Sequence, residues 1–105
     1  IWNIYEPLVF FDGSKTDAFI PVLTTRVPTL ENGGISSSGT TYTFPIRSGV
    51  KFHDGAELNA EDVAYSFKRN MIADPDGGPM WMLLEALTGN GSTRDKDGKI
   101  VPGVF

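Results

Sequence analysis

His53 is the single histidine of the chain, and Asp54 follows it directly. A hydrolase would use such an imidazole as a base oriented by a carboxylate, with Ser48 or Ser66 as the nucleophile. No nucleophile-elbow pattern accompanies these residues, and Asp54-Gly55 is by itself a turn signal. The expectation is a structural turn, no catalytic residue and no enzyme.

Asp74, Asp76, Asp95 and Asp97 are the next group with chemical capacity, as oxygen ligands for calcium. Both acidic stretches are shorter than the roughly twelve-residue calcium loop and lack its closing bidentate glutamate. Acidic turns of this kind form for backbone reasons, so neither a metal nor a cofactor is expected. Met71, Met80, Trp81 and Met82 would suit a soft ligand or peptide surface. Helical spacing assigns Met71 and Met80 to the core and leaves Trp81 and Met82 for an interface. Trp2, Tyr5 and Tyr65 are half-polar aromatics that stack on ligands or fill domain interfaces.

These residues must be positioned by a chain of 105 residues, about the size of one domain. Hydrophobic residues at 40% and charged residues at 21% give a globular rather than a disordered composition. The net charge of −4 argues against a nucleic-acid binder, which presents a basic patch to phosphates. Lys68-Arg69, the one adjacent basic pair, reads as the polar last turn of a helix. There is no cysteine, which excludes disulfides and thiolate metal sites. No apolar run approaches the ~18–20 residues of a membrane span. Ile1-Trp-Asn-Ile opens in mid-pattern, and Val101-Pro-Gly-Val-Phe105 stops on an apolar side chain after a turn. Both ends suggest a section of a longer polypeptide, whose export signal would lie upstream of Ile1.

Along the chain, Pro7 limits the first apolar spacing to a helical turn, which feeds a strand over residues 8–11 closed by Asp12-Gly13. Residues 19–27, bracketed by Pro21 and Pro28, read as an edge strand or irregular arm. Tyr42, Phe44 and Ile46 alternate with smaller neighbours as in a half-buried strand. Turns at Ser48-Gly49 and Asp54-Gly55 follow. Asn59 then opens a helix as its N-cap, with Glu61 and Asp62 at the positive end of the dipole. Val63, Phe67 and Met71 share one face, with Phe67 as the expected anchor. Pro79 suits the start of a second helix, on which Met80, Leu84 and Leu87 form an apolar stripe. Asp97-Gly98 would turn a hairpin into Ile100-Val101. The fold class expected is α+β, a small and mainly antiparallel sheet with two packed helices.

The run Tyr42-Thr-Phe-Pro-Ile-Arg-Ser-Gly-Val-Lys-Phe-His-Asp-Gly55, continued by Asn59-Ala-Glu-Asp-Val-Ala-Tyr-Ser-Phe67, resembles the signature of a known family. That family is the extracellular solute-binding proteins, family 5, of peptide-type ABC transporters. Asn3-Ile-Tyr-Glu-Pro-Leu-Val9 is similar to its early segment. Residues 21–35 depart from the family, whose members carry a leucine-alanine-glutamate-serine-tryptophan segment there. The resemblance implies one subdomain, residues 1–105, of a bilobed receptor resembling class II periplasmic binding proteins. It further implies an exported parent, periplasmic or extracellular, that binds a peptide or similar small solute and delivers it to a membrane permease. This section would contact the receptor's remaining lobes, support lobe geometry and shape one wall of the cleft. Trp2, Asn3, Ile4, Tyr5 and Glu6 would be its ligand-proximal residues. The alternative from another class is a free-standing protein-interaction module using the Met/Trp surface.

Overall fold

The computed structural model describes residues 3–74 and 78–101. The chain forms two compact units, Ile1–Ala60 and Glu61–Phe105, each described by itself. The elements in chain order are β1 (Val9–Phe11), β2 (Phe19–Pro21), α1 (Ala60–Ala73) and α2 (Trp81–Thr88). The α+β class is therefore as expected, but the sheet is reduced to two short strands.

In the first unit β1 and β2 pair antiparallel, with Val9 opposite Pro21, Phe10 opposite Ile20 and Phe11 opposite Phe19. The Asp12 amide reaches the Ala18 carbonyl at 2.9 Å, and the Lys15 ammonium closes the loop on Asp12 at 3.1 Å. The turn needs Gly13, whose φ of 62° is a region that side chains with a Cβ avoid. Pro21 has no N–H to donate, which suits its place at the end of an edge strand.

The expected strand around Tyr42 does not form a ladder. Tyr42 makes an isolated bridge to Ile35, and Ile46 makes another to Thr24. Pro45, lacking a donor, interrupts the run between the two partners. Tyr42 is consequently 57% exposed, while Phe44 and Ile46 are half-buried. The Thr24 side chain is fully buried where these segments meet. Its hydroxyl lies 2.9 Å from the Pro45 carbonyl and 3.0 Å from that of Arg26. The Thr25 amide also donates to the Pro45 carbonyl, and the Thr24 amide donates to that of Leu8.

In the second unit α1 starts directly after Asn59 and carries Glu61 and Asp62 in its first turn, as expected. It runs on to Ala73, so Lys68 and Arg69 lie before the last turn, which holds no basic residue. The cation comes from outside the helix. Arg94 donates from Nη2 to the Ile72 carbonyl at 3.4 Å, and from Nη1 to the Gly98 carbonyl at 3.0 Å. The expected 94–100 hairpin is present, with Arg94 bridged to Ile100 across a turn at Gly98.

Phe67 is not the anchor. It is 37% exposed, whereas Met71 one turn later is only 5% exposed. On α2, Leu84 is buried at 4% but Leu87 is 63% exposed. A unit this small has too little interior to enclose a whole stripe from either helix. α2 is preceded by Met80, whose amide is held by the Asp74 carboxylate at 2.8 Å. Gly89 ends it with φ 72°, its N–H donating a hydrogen bond to the Glu85 carbonyl.

Candidate functional site

Most of the described candidates for acid–base and metal chemistry sit in turns or next to helix ends, and Ser66 lies within α1. His53 sits exposed in a turn between Phe52 and Ala56, which exchange a 2.8 Å backbone bond. The Asp54 carboxylate accepts the Ala56 amide at 3.0 Å, an Asx-type contact that shapes the turn. Ser66 donates its hydroxyl to the Asp62 carbonyl within α1, and Ser48 occupies the turn before Gly49. The carboxylate and the Ser66 hydroxyl thus serve the backbone, which accounts for their presence without a reaction.

The acidic turns are explained in the same way. Asp95 accepts the amides of Asp97 and Lys99 from one oxygen, each at 2.9 Å. Asp74 holds the Met80 amide, and Asp76 lies outside the described residues. Among the described residues no three His, Cys, Asp or Glu side chains gather as a metal site.

Of the five residues expected near a ligand, Trp2 lies outside the described residues. Asn3 and Ile4 form a turn and, with Tyr5 and Glu6, stand exposed; Ile4 is 61% and Tyr5 68% accessible. The arm is rooted immediately afterwards. The Pro7 carbonyl accepts the Leu23 amide at 3.2 Å, and the Leu8 carbonyl accepts that of Val22 at 3.0 Å. An exposed tyrosine on a rooted arm can offer a ring face and a hydroxyl to a solute, but it has no chemistry of its own.

An open pocket of about 360 Å³ lies within the first unit, lined by Ile46, Arg47, Ser48, Glu57, Leu58 and Asn59 among others. Its charged groups brace its walls. Arg47 donates from Nε to the Val22 carbonyl at 2.6 Å, and Glu57 accepts the Gly49 amide at 3.1 Å. An isolated antiparallel backbone bridge between residues Lys51 and Glu57 holds the turn that frames it.

Sequence reasoning missed the residue that organises the loop between Val27 and Ile35. Asn32 accepts the amides of Thr29 and Gly34 on one oxygen, both at 2.9 Å, and donates to the Val27 carbonyl at 2.8 Å. The Thr29 hydroxyl returns a bond to the Asn32 amide at 3.1 Å. A Thr-x-x-Asn spacing was the available signal, since the geometry is that of a reciprocal capping box.

The profile of the family described as bacterial extracellular solute-binding proteins, family 5 Middle, matches residues 18–101. The match runs through residues 78–101, beyond the signature from which the resemblance was read, and begins after the early segment. Di/tripeptide-binding protein 1 of Pseudomonas aeruginosa is 32% identical over 88 residues, covering 67% of this chain and 16% of that protein. Dipeptide-binding protein of Escherichia coli is 37% identical over 87 residues, covering 66% and 16%. Heme-binding protein A of Haemophilus influenzae is 39% identical over 80 residues, covering 70% and 13%. The chain therefore spans about one sixth or less of the length of these relatives. No solved structure matches the chain.

Proposed function

Because the chain belongs to the bacterial extracellular solute-binding proteins of family 5, we propose that it is part of the substrate-binding component of an ABC importer. The solute is a peptide or a similar small molecule. The observation that carries this reading is the family match over residues 18–101, joined to relatives whose names specify dipeptides and tripeptides. The receptor is bilobed and periplasmic or extracellular. Residues 1–105 belong to one of its subdomains, and its partners are the remaining lobes, the solute and a membrane permease. It binds and releases its solute without chemical change, consistent with the backbone bonds of Asp54, Asp74 and Asp95.

The role of this section within the receptor is to support lobe geometry. A relative named for dipeptide and one named for heme are nearly equally similar to the chain, at 37% and 39%. What unlike ligands share is the frame, not the contacts that select them. Trp2, Asn3, Ile4, Tyr5 and Glu6 are the exception. We assign this arm to one wall of the cleft, supported by the exposure of Tyr5 next to a backbone rooted at Pro7 and Leu8.

Two measurements test the reading. Titration calorimetry on the native polypeptide that carries this chain is expected to detect dipeptides or tripeptides, and no heat from any of a broad peptide set would refute the peptide assignment. Alanine scanning of the five arm positions in that polypeptide is expected to weaken binding at one or more of them. Unchanged affinity throughout would remove the arm from the cleft. A second reading, a free-standing interaction module, is favoured by the exposure of Trp81 at 50% and Met82 at 60%. An immunoblot band at 11.4 kDa would select it, and a band several times larger would exclude it.

A further inference from the structure

The dipeptide Asn-Gly occurs twice in the chain, as Asn32-Gly33 and as Asn90-Gly91. This pairing is open to self-reaction, because glycine has no Cβ to shield its amide nitrogen from the preceding side chain. All four residues are exposed, so access to water does not separate the two places. Bonding does. Asn32 holds the Thr29 and Gly34 amides on Oδ1 and donates from Nδ2 to the Val27 carbonyl. The Gly33 amide is itself committed to the Leu30 carbonyl at 3.3 Å. Among the described residues the Asn90 side chain has one bond, from Nδ2 to the Thr88 carbonyl at 3.1 Å. The Gly91 amide has no hydrogen bond among the described residues. A Cβ built on Gly91 would meet nothing within 4 Å, so its surroundings are open.

We propose that Asn90-Gly91 is a site of spontaneous deamidation, and that Asn32-Gly33 is protected by the bonds of its loop. Solvent base takes the proton from the Gly91 amide, and that nitrogen attacks Cγ of Asn90. A bond from the Gly91 nitrogen to Cγ forms, the bond from Cγ to Nδ2 breaks, and ammonia leaves with a proton from water. Water then opens the cyclic succinimide at either carbonyl, giving aspartate or isoaspartate. Water is the only co-reactant. At Asn32 the same attack must first open three side-chain bonds and the bond of the Gly33 amide. At Asn90 it opens one. Each hydrogen bond slows a step that must break it several-fold, so the two sites differ by more than about tenfold. Either product removes the Nδ2 donor from the Thr88 carbonyl and sets a carboxylate just past the negative end of α2. The modification therefore works against the cap that ends this helix.

The native polypeptide that carries this chain is incubated, folded, in mildly alkaline water enriched in heavy oxygen, which marks each aspartyl product as it forms. Peptide mass spectrometry then reads the label at the two asparagines. Labelling at Asn90 is expected to be more than about tenfold faster than at Asn32. Any smaller ratio, or no label at Asn90, overturns the proposal. In urea the loop bonds are gone, and the two rates are expected to converge to within about threefold. A preference that persists in urea traces to flanking sequence and equally overturns it. Gly91→Ala puts a Cβ beside the attacking nitrogen and is expected to slow labelling at Asn90 more than about tenfold, with Asn32 unaffected. An unchanged rate at Asn90 in this variant would show water attacking the side chain without the Gly91 nitrogen, and the assigned reaction would fall.

Discussion

The Thr24 hydroxyl lies 2.9 Å from the Pro45 carbonyl oxygen, bringing together two segments 21 positions apart. Thr24 is fully buried, so the bond is shielded from water and its loss is not compensated by solvent. Replacing Thr24 with valine keeps the shape and removes the donor. The expected effect is a loss of about 1–3 kcal/mol in urea unfolding, with Thr24→Ser retaining more of the stability than Thr24→Val.

Asn32 satisfies three backbone groups with one amide. Asn32→Ala leaves all three without that partner, and denaturant midpoints are expected to fall by the equivalent of about 1–3 kcal/mol. Asn32→Asp keeps the acceptor for Thr29 and Gly34 but loses the donor to Val27, so it is expected to fall between wild type and alanine. An alanine variant as stable as wild type would show that the loop does not depend on this residue.

Gly34 illustrates a glycine required by space rather than by φ. An added Cβ would lie 2.7 Å from the Pro28 Cα, a backbone atom that cannot swing aside. Gly34→Ala is expected to destabilise by about 1–3 kcal/mol. Gly91 meets nothing within 4 Å of the same hypothetical atom. Gly91→Ala is therefore expected to be neutral or stabilising by up to about 1 kcal/mol. Thermal melts of the two variants side by side distinguish crowding from a general intolerance of glycine replacement.

His53 and Asp54 separate a decorative from a structural turn residue. His53→Gln is expected to change stability by less than about 0.5 kcal/mol, as for an exposed site, and to leave solute affinity unaltered. Asp54→Ala removes the acceptor for the Ala56 amide and is expected to loosen the turn by about 0.5–1.5 kcal/mol. Loss of solute binding in the glutamine variant would give His53 a role that its place in the turn does not predict.

Local grammar was the legible part of this fold. The acidic first turn of α1, the turn at Asp54-Gly55 and the hairpin around Gly98 are each decided by a few neighbouring residues, and each is found where the sequence puts it. What failed depended on distant chain. Phe67 has the size and spacing of an anchor, but its burial is set by how much interior surrounds it, and Met71 is buried instead. Thr24 cannot be told from Thr25 in the sequence, because what distinguishes them is a hydroxyl bond to a carbonyl 21 positions away. The strand around Tyr42 shows the same limit, since Tyr42 is exposed, Pro45 is as half-buried as Phe44 and Ile46, and its two bridges go to different partners. Of the candidate residues, Asp54 and Asp95 looked like turn formers, and their bonds are those of turn formers.

One guanidinium, that of Arg94, holds the Ile72 carbonyl near the end of α1 and the Gly98 carbonyl at the hairpin tip. The two places are far apart in sequence, and each is held by its own nitrogen of the same side chain. Helix end and hairpin are therefore coupled by about 1 kcal/mol, and the link between them is a side chain rather than the backbone.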